Sequence, residues 1–302
     1  MPKMEEQKKY IDIIGDIDKS YALMKKVRPL SAGELKYFYN EFSISASHNS
    51  NAIEGNTFTF DETKLLIERG IVTGAHSLRE SEDIVGYKQA FDFLYEALKE
   101  KQPITEEFIK KIHSFVLRGD NEAGKYRDIQ NYIGNLTRVV YTPCPPIQVP
   151  EKMRTYVKEL QTDCSGIALL TEQGEIDWVD LFHTFARHHI EFEKIHPFVD
   201  GNGRTGRLLL IYEFILAGLL PVDIRYEEQK RYYAALSAYD DKAKYSTRPE
   251  SKTESLAKLL AESELASMKL WLSIYAVSGT SHNESEADGG SGESGSFDVG
   301  MQ

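Results

Sequence analysis

The most reactive side chains of the sequence are concentrated in residues 196–207, which read HPFVDGNGRTGR. The stretch combines one imidazole, one carboxylate, one side-chain amide and two guanidiniums: His196, Asp200, Asn202, Arg204 and Arg207. Guanidiniums bind phosphate oxygens, a carboxylate can hold Mg²⁺ together with phosphate oxygens, and an imidazole accepts a proton near neutral pH. These residue types at this spacing therefore predict chemistry on a ligand with several phosphates.

Two helices are expected to position this stretch. Residues 177–192 carry apolar side chains at helical spacing, and Pro197 prevents that helix from continuing. Residues 207–217 are strongly apolar and too long for a typical strand, which predicts a buried helix that ends at Gly218. The glycines between the two helices lie where the second one begins, and the free backbone N–H groups and the helix dipole favour an anion there.

The stretch resembles the signature of the Fic family, HPFx[D/E]GNGRxxR, and every specified position is filled. The resemblance covers roughly residues 45–245. It implies an all-α (mainly α) fold, a Fic-type helical bundle with a short β-hairpin flap over the active site. It also implies a protein adenylyltransferase, which transfers AMP from Mg-ATP to a Tyr, Ser or Thr hydroxyl of a target protein or of itself.

The resemblance assigns roles within the signature. His196 is expected to be the general base that takes the proton from the target hydroxyl, and Asp200 is expected to hold Mg²⁺. The residues expected to bind ATP are Gly201, Asn202, Gly203, Arg204, Thr205, Gly206 and Arg207. Asn202 and the glycine amides would contact the α- and β-phosphates of ATP. Arg204 and Arg207 would bind its β- and γ-phosphates.

A second motif, residues 50–55 (SNAIEG), resembles the inhibitory pattern of the family, [S/T]xxxE[G/N], and stands N-terminal to the signature as in the class II type. Family precedent makes Glu54 the inhibitory glutamate, with Ser50 in the same motif. A carboxylate paired with Arg207 would occupy the guanidinium that holds the terminal phosphate, and would put negative charge where that phosphate must lie. The alternative is a helix end at Gly55 with a solvated Glu54.

Residues 126–150 are rich in Tyr, Ile, Val and Thr and have turn residues, Gly134 and Asn135, near the middle, which predicts a β-hairpin. In the family such a flap lies over the active site and pairs with the backbone of the target. The positions expected over the nucleotide are Ile133, Gly134, Asn135 and Leu136. The resemblance also assigns Tyr232 and Tyr233 to the adenine pocket, with structural packing as a close alternative.

The rest of the chain predicts helices. They are expected over residues 8–27, 60–70, 78–100, 150–161, 231–236 and 251–278. Two more are expected to begin at Ser31, with a capping box to Glu34, and at Thr105, and a glycine-containing loop is expected after residue 161.

Four parts of the chain are expected: an N-terminal helical region (1–44), the Fic core (45–245), a C-terminal helix (246–278) and a disordered acidic tail (279–302). His113, His188 and His189 are expected to have structural rather than catalytic roles.

Composition narrows the classes of function. The net charge is −11, and the tail from residue 279 contributes −5 of this, which argues against a general nucleic-acid binder. No apolar run is long enough for a membrane span, the start shows no signal peptide, and the two cysteines lack metal or redox spacing. These features predict a cytoplasmic protein without a membrane partner, and the resemblance is compatible with a homodimer.

Two alternatives remain open. An enzyme with the same site could remove AMP, with Glu54 positioning a water, or could use another nucleotide or a phosphocholine donor. A protein without enzymatic activity could use the pocket as an ATP-sensing or antitoxin-like binding module. The intact His196 and Asp200 argue against this second alternative.

Overall fold

The computed structural model describes residues 2–135, 138–238 and 250–285. In this part of the chain the fold is helical, with one two-stranded antiparallel hairpin. The elements are α1 (Pro2–Lys26), α2 (Ala32–Ile53), α3 (Phe60–Arg69), α4 (Leu78–Lys99), α5 (Glu106–Val116), β1 (Ile133–Asn135), β2 (Arg138–Tyr141), α6 (Val149–Gln173), α7 (Trp178–Ile195), α8 (Asn202–Leu216), α9 (Gln229–Ala238) and α10 (Glu250–Ser285). The predicted all-α bundle with a hairpin is confirmed.

Helix α8 lies at the centre of the bundle. Its side chains are buried on all sides, as the apolar run in the sequence predicts, and Leu208 and Tyr212 have no exposed surface. Helix α7 packs against it through Phe185, whose ring centroid is 4.6 Å from that of Phe214. A Cβ at Gly206 would come within 3.0 Å of the Phe192 ring, so glycine permits the close approach of these two helices. The core therefore fixes both helices that flank the signature.

Helix α2 brings the second motif into the core. It begins at the predicted capping box, in which Ser31 accepts from the Glu34 backbone and Glu34 accepts from that of Ser31. Its polar second half stays helical and buried because the side chains bond to carbonyls one turn earlier. Asn51 Nδ2, for example, donates to the Ser47 carbonyl at 2.8 Å. The helix ends at Ile53, with Glu54 as its C-cap residue.

Several boundaries differ from the sequence-based expectations. Helix α6 runs through Gly166 and ends only at Gly174, so the expected loop after residue 161 is wrong. Gly134 and Asn135 lie in strand β1, and Asn135 pairs with Arg138, so they are not the turn residues. Helix α10 ends at Ser285, past the expected boundary at residue 278, and residues 286–302 of the expected acidic tail lie outside the described part. None of the helices described is both long enough and apolar enough to cross a membrane.

Candidate active site

His196 stands at the junction between α7 and the signature loop. It caps α7 in the left-handed conformation, with φ 49° and ψ 62°, because Pro197 prevents a further helical turn. Its Nδ1 lies 3.3 Å from the Glu193 carbonyl oxygen, which can only accept, so the hydrogen belongs on Nδ1 and Nε2 keeps its lone pair. Burial lowers the pKa of His196 to about 4, so the ring is neutral at physiological pH. This ring can accept a proton.

The loop after His196 is fixed by backbone contacts from Asn202. Its Oδ1 accepts from the Phe198 N–H and its Nδ2 donates to the Phe198 carbonyl, both at 2.9 Å. Asn131, near the flap, donates to the same carbonyl at 2.9 Å. The Asn202 amide was expected to contact phosphates. In this structure it is committed to the loop instead, because a side-chain amide satisfies one N–H and one carbonyl equally well.

Two further residues hold the signature backbone. The His113 ring stacks on Phe198 with centroids 3.7 Å apart; its Nδ1 accepts from the Gly124 N–H, and its Nε2 donates to the Asp200 carbonyl at 3.0 Å. The expected packed role of His113 is thus observed. Arg127, which sequence reasoning missed, is buried and donates through Nε to the His196 carbonyl at 2.8 Å. No local pattern marks Arg127, because its partners are backbone carbonyls far along the chain.

The start of α8 is open to an anion. The helix begins after Gly201, which adopts φ 72°, and no side chain caps its first N–H groups. Glu54 reaches this position from α2: a Cβ added to Gly203 would collide with Glu54 Oε1. A carboxylate therefore lies directly over the glycine where the helix dipole and the free amides favour negative charge.

Glu54 also forms an ion pair with the last arginine of the signature. Its Oε1 lies 2.7 Å from Arg207 Nη2, and Arg207 is buried. Ser50 completes the contact, because its hydroxyl accepts from Arg207 Nε at 2.8 Å and its carbonyl accepts from Nη2 at 2.9 Å. The structure thus brings together Ser50, Glu54 and Arg207, the three residues that the two motifs pointed to, although the Glu54 side chain remains 37% exposed.

Asp200 and Arg204 form the outer side of the site. The Asp200 side chain is 65% exposed, and its Oδ2 lies 3.8 Å from Arg204 Nη2. Arg204 is itself buried and paired with Asp83 on α4, which the sequence did not indicate. Among the described residues no cluster of three or more acidic, His or Cys side chains could hold a metal alone. One exposed carboxylate nevertheless fits Mg²⁺ that is bound mostly by phosphate oxygens.

Three of the expected ligand residues face the core. Thr205 has no exposed surface, and Gly206 lies against α7, so both are packing positions. Tyr232 is also buried, with its hydroxyl 2.7 Å from His189 Nε2. Tyr233 is 41% exposed and donates to the Ile53 carbonyl at 3.1 Å, so of the two tyrosines only this one is free to contact a base.

The hairpin carries the remaining expected positions. Ile133 and Gly134 lie in β1 and Asn135 ends that strand, whereas Leu136 lies outside the described residues. The base of the hairpin is joined to the end of α7, because the Tyr141 hydroxyl donates to the Lys194 carbonyl at 3.2 Å. Two neighbouring side chains, Tyr132 and Val139, are more than half exposed.

Comparison with known proteins gives the family. The sequence profile of the Fic/DOC family matches residues 103–214, which include the whole signature. A solved structure of a Fic-domain-containing signaling protein from Bacteroides thetaiotaomicron aligns with a TM-score of 0.74 and 26% identity, over 87% of this chain and 97% of that one. The chain contains a Fic/DOC domain.

Curated relatives match a longer part of the chain than the family profile does. The chain is 34% identical over 193 residues to protein adenylyltransferase fic-1 of Caenorhabditis elegans. The aligned region covers 63% of this chain and 35% of the relative. It is 30% identical over 226 residues to protein adenylyltransferase Fic of Nematostella vectensis. Here the aligned region covers 73% of this chain and 49% of the relative. The chain therefore spans between about a third and a half of the length of these relatives.

Proposed function

We propose that this Fic protein transfers AMP from Mg-ATP to a hydroxyl side chain of a target protein or of itself, and that Glu54 inhibits the transfer. The observation that carries the proposal is the position of the Glu54 carboxylate, over Gly203 and 2.7 Å from Arg207. A carboxylate held at a helix start beside a buried guanidinium occupies a site built for an anion. The names of the curated relatives support the same activity.

His196 acts as the general base. Its neutral Nε2 takes the proton as the target oxygen attacks the α-phosphorus, so that one O–P bond forms while the bond to pyrophosphate breaks. The low pKa of His196, about 4, keeps the lone pair available at neutral pH but also weakens the base, so positioning of the phosphate contributes much of the rate. Phe198 and Asn202 fix the loop on which this geometry depends.

The start of α8 binds the phosphates. The backbone amides near Gly203 receive the oxygens that Glu54 now replaces, and Arg204 and Arg207 bind the β and γ end. Asp200, whose carboxylate is exposed, would hold Mg²⁺, and the ion would supply neutralisation of charge on the phosphates. Tyr233 lies beside the adenine, and Thr205 and Gly206 act through packing. Tyr232 supports Arg207, because its hydroxyl accepts from Arg207 Nη1 at 3.5 Å.

The hairpin presents the target. Exposed side chains at Tyr132 and Val139 and the strand edge of Ile133 and Gly134 offer a surface on which an extended segment can pair, and the target is a protein with a Tyr, Ser or Thr hydroxyl. We include in the proposal the Fic core over residues 45–245, a cytoplasmic location, and an assembly that can be a homodimer. The net charge of −11 supports the absence of nucleic-acid partners.

The test is the intact mass of the Glu54→Gly protein after incubation with Mg-ATP and a candidate target. The proposal expects an adduct of one AMP on target or enzyme, much less with the native chain, and none with Glu54→Gly/His196→Ala, since loss of a general base costs about 10²–10⁴-fold. Parallel incubations with GTP, UTP and a phosphocholine donor distinguish the other transferases. An adduct that the native protein removes would favour the hydrolytic alternative, and ATP binding without any adduct would favour the binding module.

A further inference from the structure

The strongest feature outside the two motifs is the ion pair between Asp83 on α4 and Arg204 on α8. Arg204 Nη1 lies 2.5 Å from Asp83 Oδ1, and both side chains are largely buried. The Nε of Arg204 is buried as well and has no hydrogen-bond partner among the described residues. Burying a guanidinium is costly unless a carboxylate compensates its charge, so Asp83 determines where Arg204 can stay.

Asp83 is itself well fixed. Arg79, one turn earlier on α4, has its Nε 3.2 Å from the same Asp83 oxygen. One turn later, a Cβ at Gly86 would collide with the Phe115 carbonyl, so α4 lies unusually close to α5 at this point. The carboxylate therefore projects from a helix that cannot easily shift.

Asp83 also competes with Asp200 of the signature for Arg204, and its contact with the guanidinium is the shorter of the two. Arg204 and Asp200 are one turn apart, and Arg204 Nη2 lies 3.8 Å from Asp200 Oδ2. No other carboxylate besides these two lies within ion-pair distance of Arg204 in the described residues. Asp200 Oδ2 also lies 3.7 Å from Arg79 Nη2. Without Asp83, the guanidinium of Arg204 would move closer to Asp200, and this tighter pair would compete with the phosphates for Arg204 and with Mg²⁺ for Asp200.

We propose that Asp83 is a positioning residue for the triphosphate site: it fixes the Arg204 guanidinium on the α4 side, so that Nη2, which makes only a long contact with Asp200, binds the β and γ phosphates. The proposal rests on the proposed function, in which Arg204 binds that end of ATP. It makes α4 part of the site, although α4 lies outside the signature. A nucleotide without β and γ phosphates does not depend on Asp83.

The test compares ATP with AMP. Calorimetry in Mg²⁺ measures the affinity of both nucleotides for Glu54→Gly and for Glu54→Gly/Asp83→Asn; Asn keeps the size of Asp and removes its charge. The proposal expects ATP to bind about tenfold more weakly, or worse, in the double variant, AMP to bind as before, and Asp83→Glu to restore part of the ATP affinity. Asp92→Asn is the matched control, because Asp92 lies exposed on the same helix and, among the described residues, pairs with Lys88 alone.

Equal ATP affinities with and without Asp83 would overturn the inference while leaving the proposed function intact. Equal losses for ATP and AMP would also overturn it, because they would indicate general damage to the pocket. The Glu54→Gly variant by itself tests the proposed function. If this variant does not bind ATP, the proposed function is refuted, and the role of Asp83 is refuted with it.

Discussion

At the scale of single residues, the site consists of side chains whose charge states are set by burial. His196 and His113 both have pKa values lowered to about 4, chiefly by burial, and both are therefore neutral. His188 is the opposite case: two carboxylates, on Glu213 and Asp163, outweigh its burial and raise its pKa to about 9. His196 is arranged to accept a proton, whereas the other two hold helices and loops together.

The first prediction concerns the acid sensitivity that His113 confers. In the unfolded chain its pKa is about 6.5, and in the folded chain it is about 4, so below pH 6.5 the unfolded state binds a proton that the folded state does not. Stability is lost as the pH falls from 6.5 towards 4, by about 1.4 kcal/mol per pH unit from this group. Above pH 6.5 the group contributes no pH dependence.

His113→Gln tests this, because Gln can also accept from the Gly124 N–H and donate to the Asp200 carbonyl. Chemical denaturation of both proteins between pH 8 and 5 should show the variant less stable at pH 8, with the difference from the native chain narrowing below pH 6.5. Stability curves that stay parallel down to pH 5 would show that His113 does not have the lowered pKa.

At the scale of elements, α4 joins the inhibitory segment to the signature. Near its start, the Glu80 carboxylate accepts from the Thr57 N–H at 2.9 Å and from its hydroxyl at 2.6 Å. Its other oxygen accepts from the N–H and hydroxyl of Ser77, the N-cap residue. Bonds to Thr57 and Ser77 lower the pKa of Glu80 to about 2, so it stays ionised across the physiological range. The chain just after Glu54 is therefore tied to the same helix that holds Arg204.

A prediction at the scale of elements follows from this connection. Glu80→Ala removes the bonds to Thr57, so the end of α2 becomes freer and Glu54 leaves Arg207 more often. Basal AMP transfer, followed by intact mass, should rise several-fold over the native chain, yet stay below that of Glu54→Gly. The matched control is Glu96→Ala, because Glu96 is exposed on the same helix and pairs only with Lys99. Equal rates for the Glu80 and Glu96 variants would contradict a role of Glu80 in inhibition.

Sequence patterns predicted the features of the fold that depend on interactions between residues close together in the chain. The capping box at Ser31, the stop at Pro197 and the glycine start of α8 each depend on residues within one turn, and each is present as expected. The contact of Asp83 with Arg204 joins distant parts of the chain and leaves no local pattern. For Asn202 the residue type was identified, but an amide serves phosphate and backbone equally well, so only the fold decides between them.

At the scale of the whole molecule, the helices outside the matched family profile close the bundle. Helix α10 packs along α1 and α7, and Trp271 is buried in the shared core. Helix α2 lies against α8 and α4 and supplies the residue that occupies the phosphate position. The proposed inhibition is thus built into the packing of the N-terminal part, because moving Glu54 away requires the end of a buried helix to shift.

The most direct measurement is the calorimetric affinity of Mg-ATP for the native chain, Glu54→Gln and Glu54→Gly. The Gln variant keeps the bulk of the side chain and removes its charge, whereas Gly removes both. The account predicts the tightest binding for Gly, intermediate binding for Gln, and binding at least about tenfold weaker than Gly for the native chain, since the charge-assisted pair of Glu54 with buried Arg207 must be broken first. Equal affinities for the three proteins would contradict the claim that Glu54 occupies the phosphate site at the start of α8.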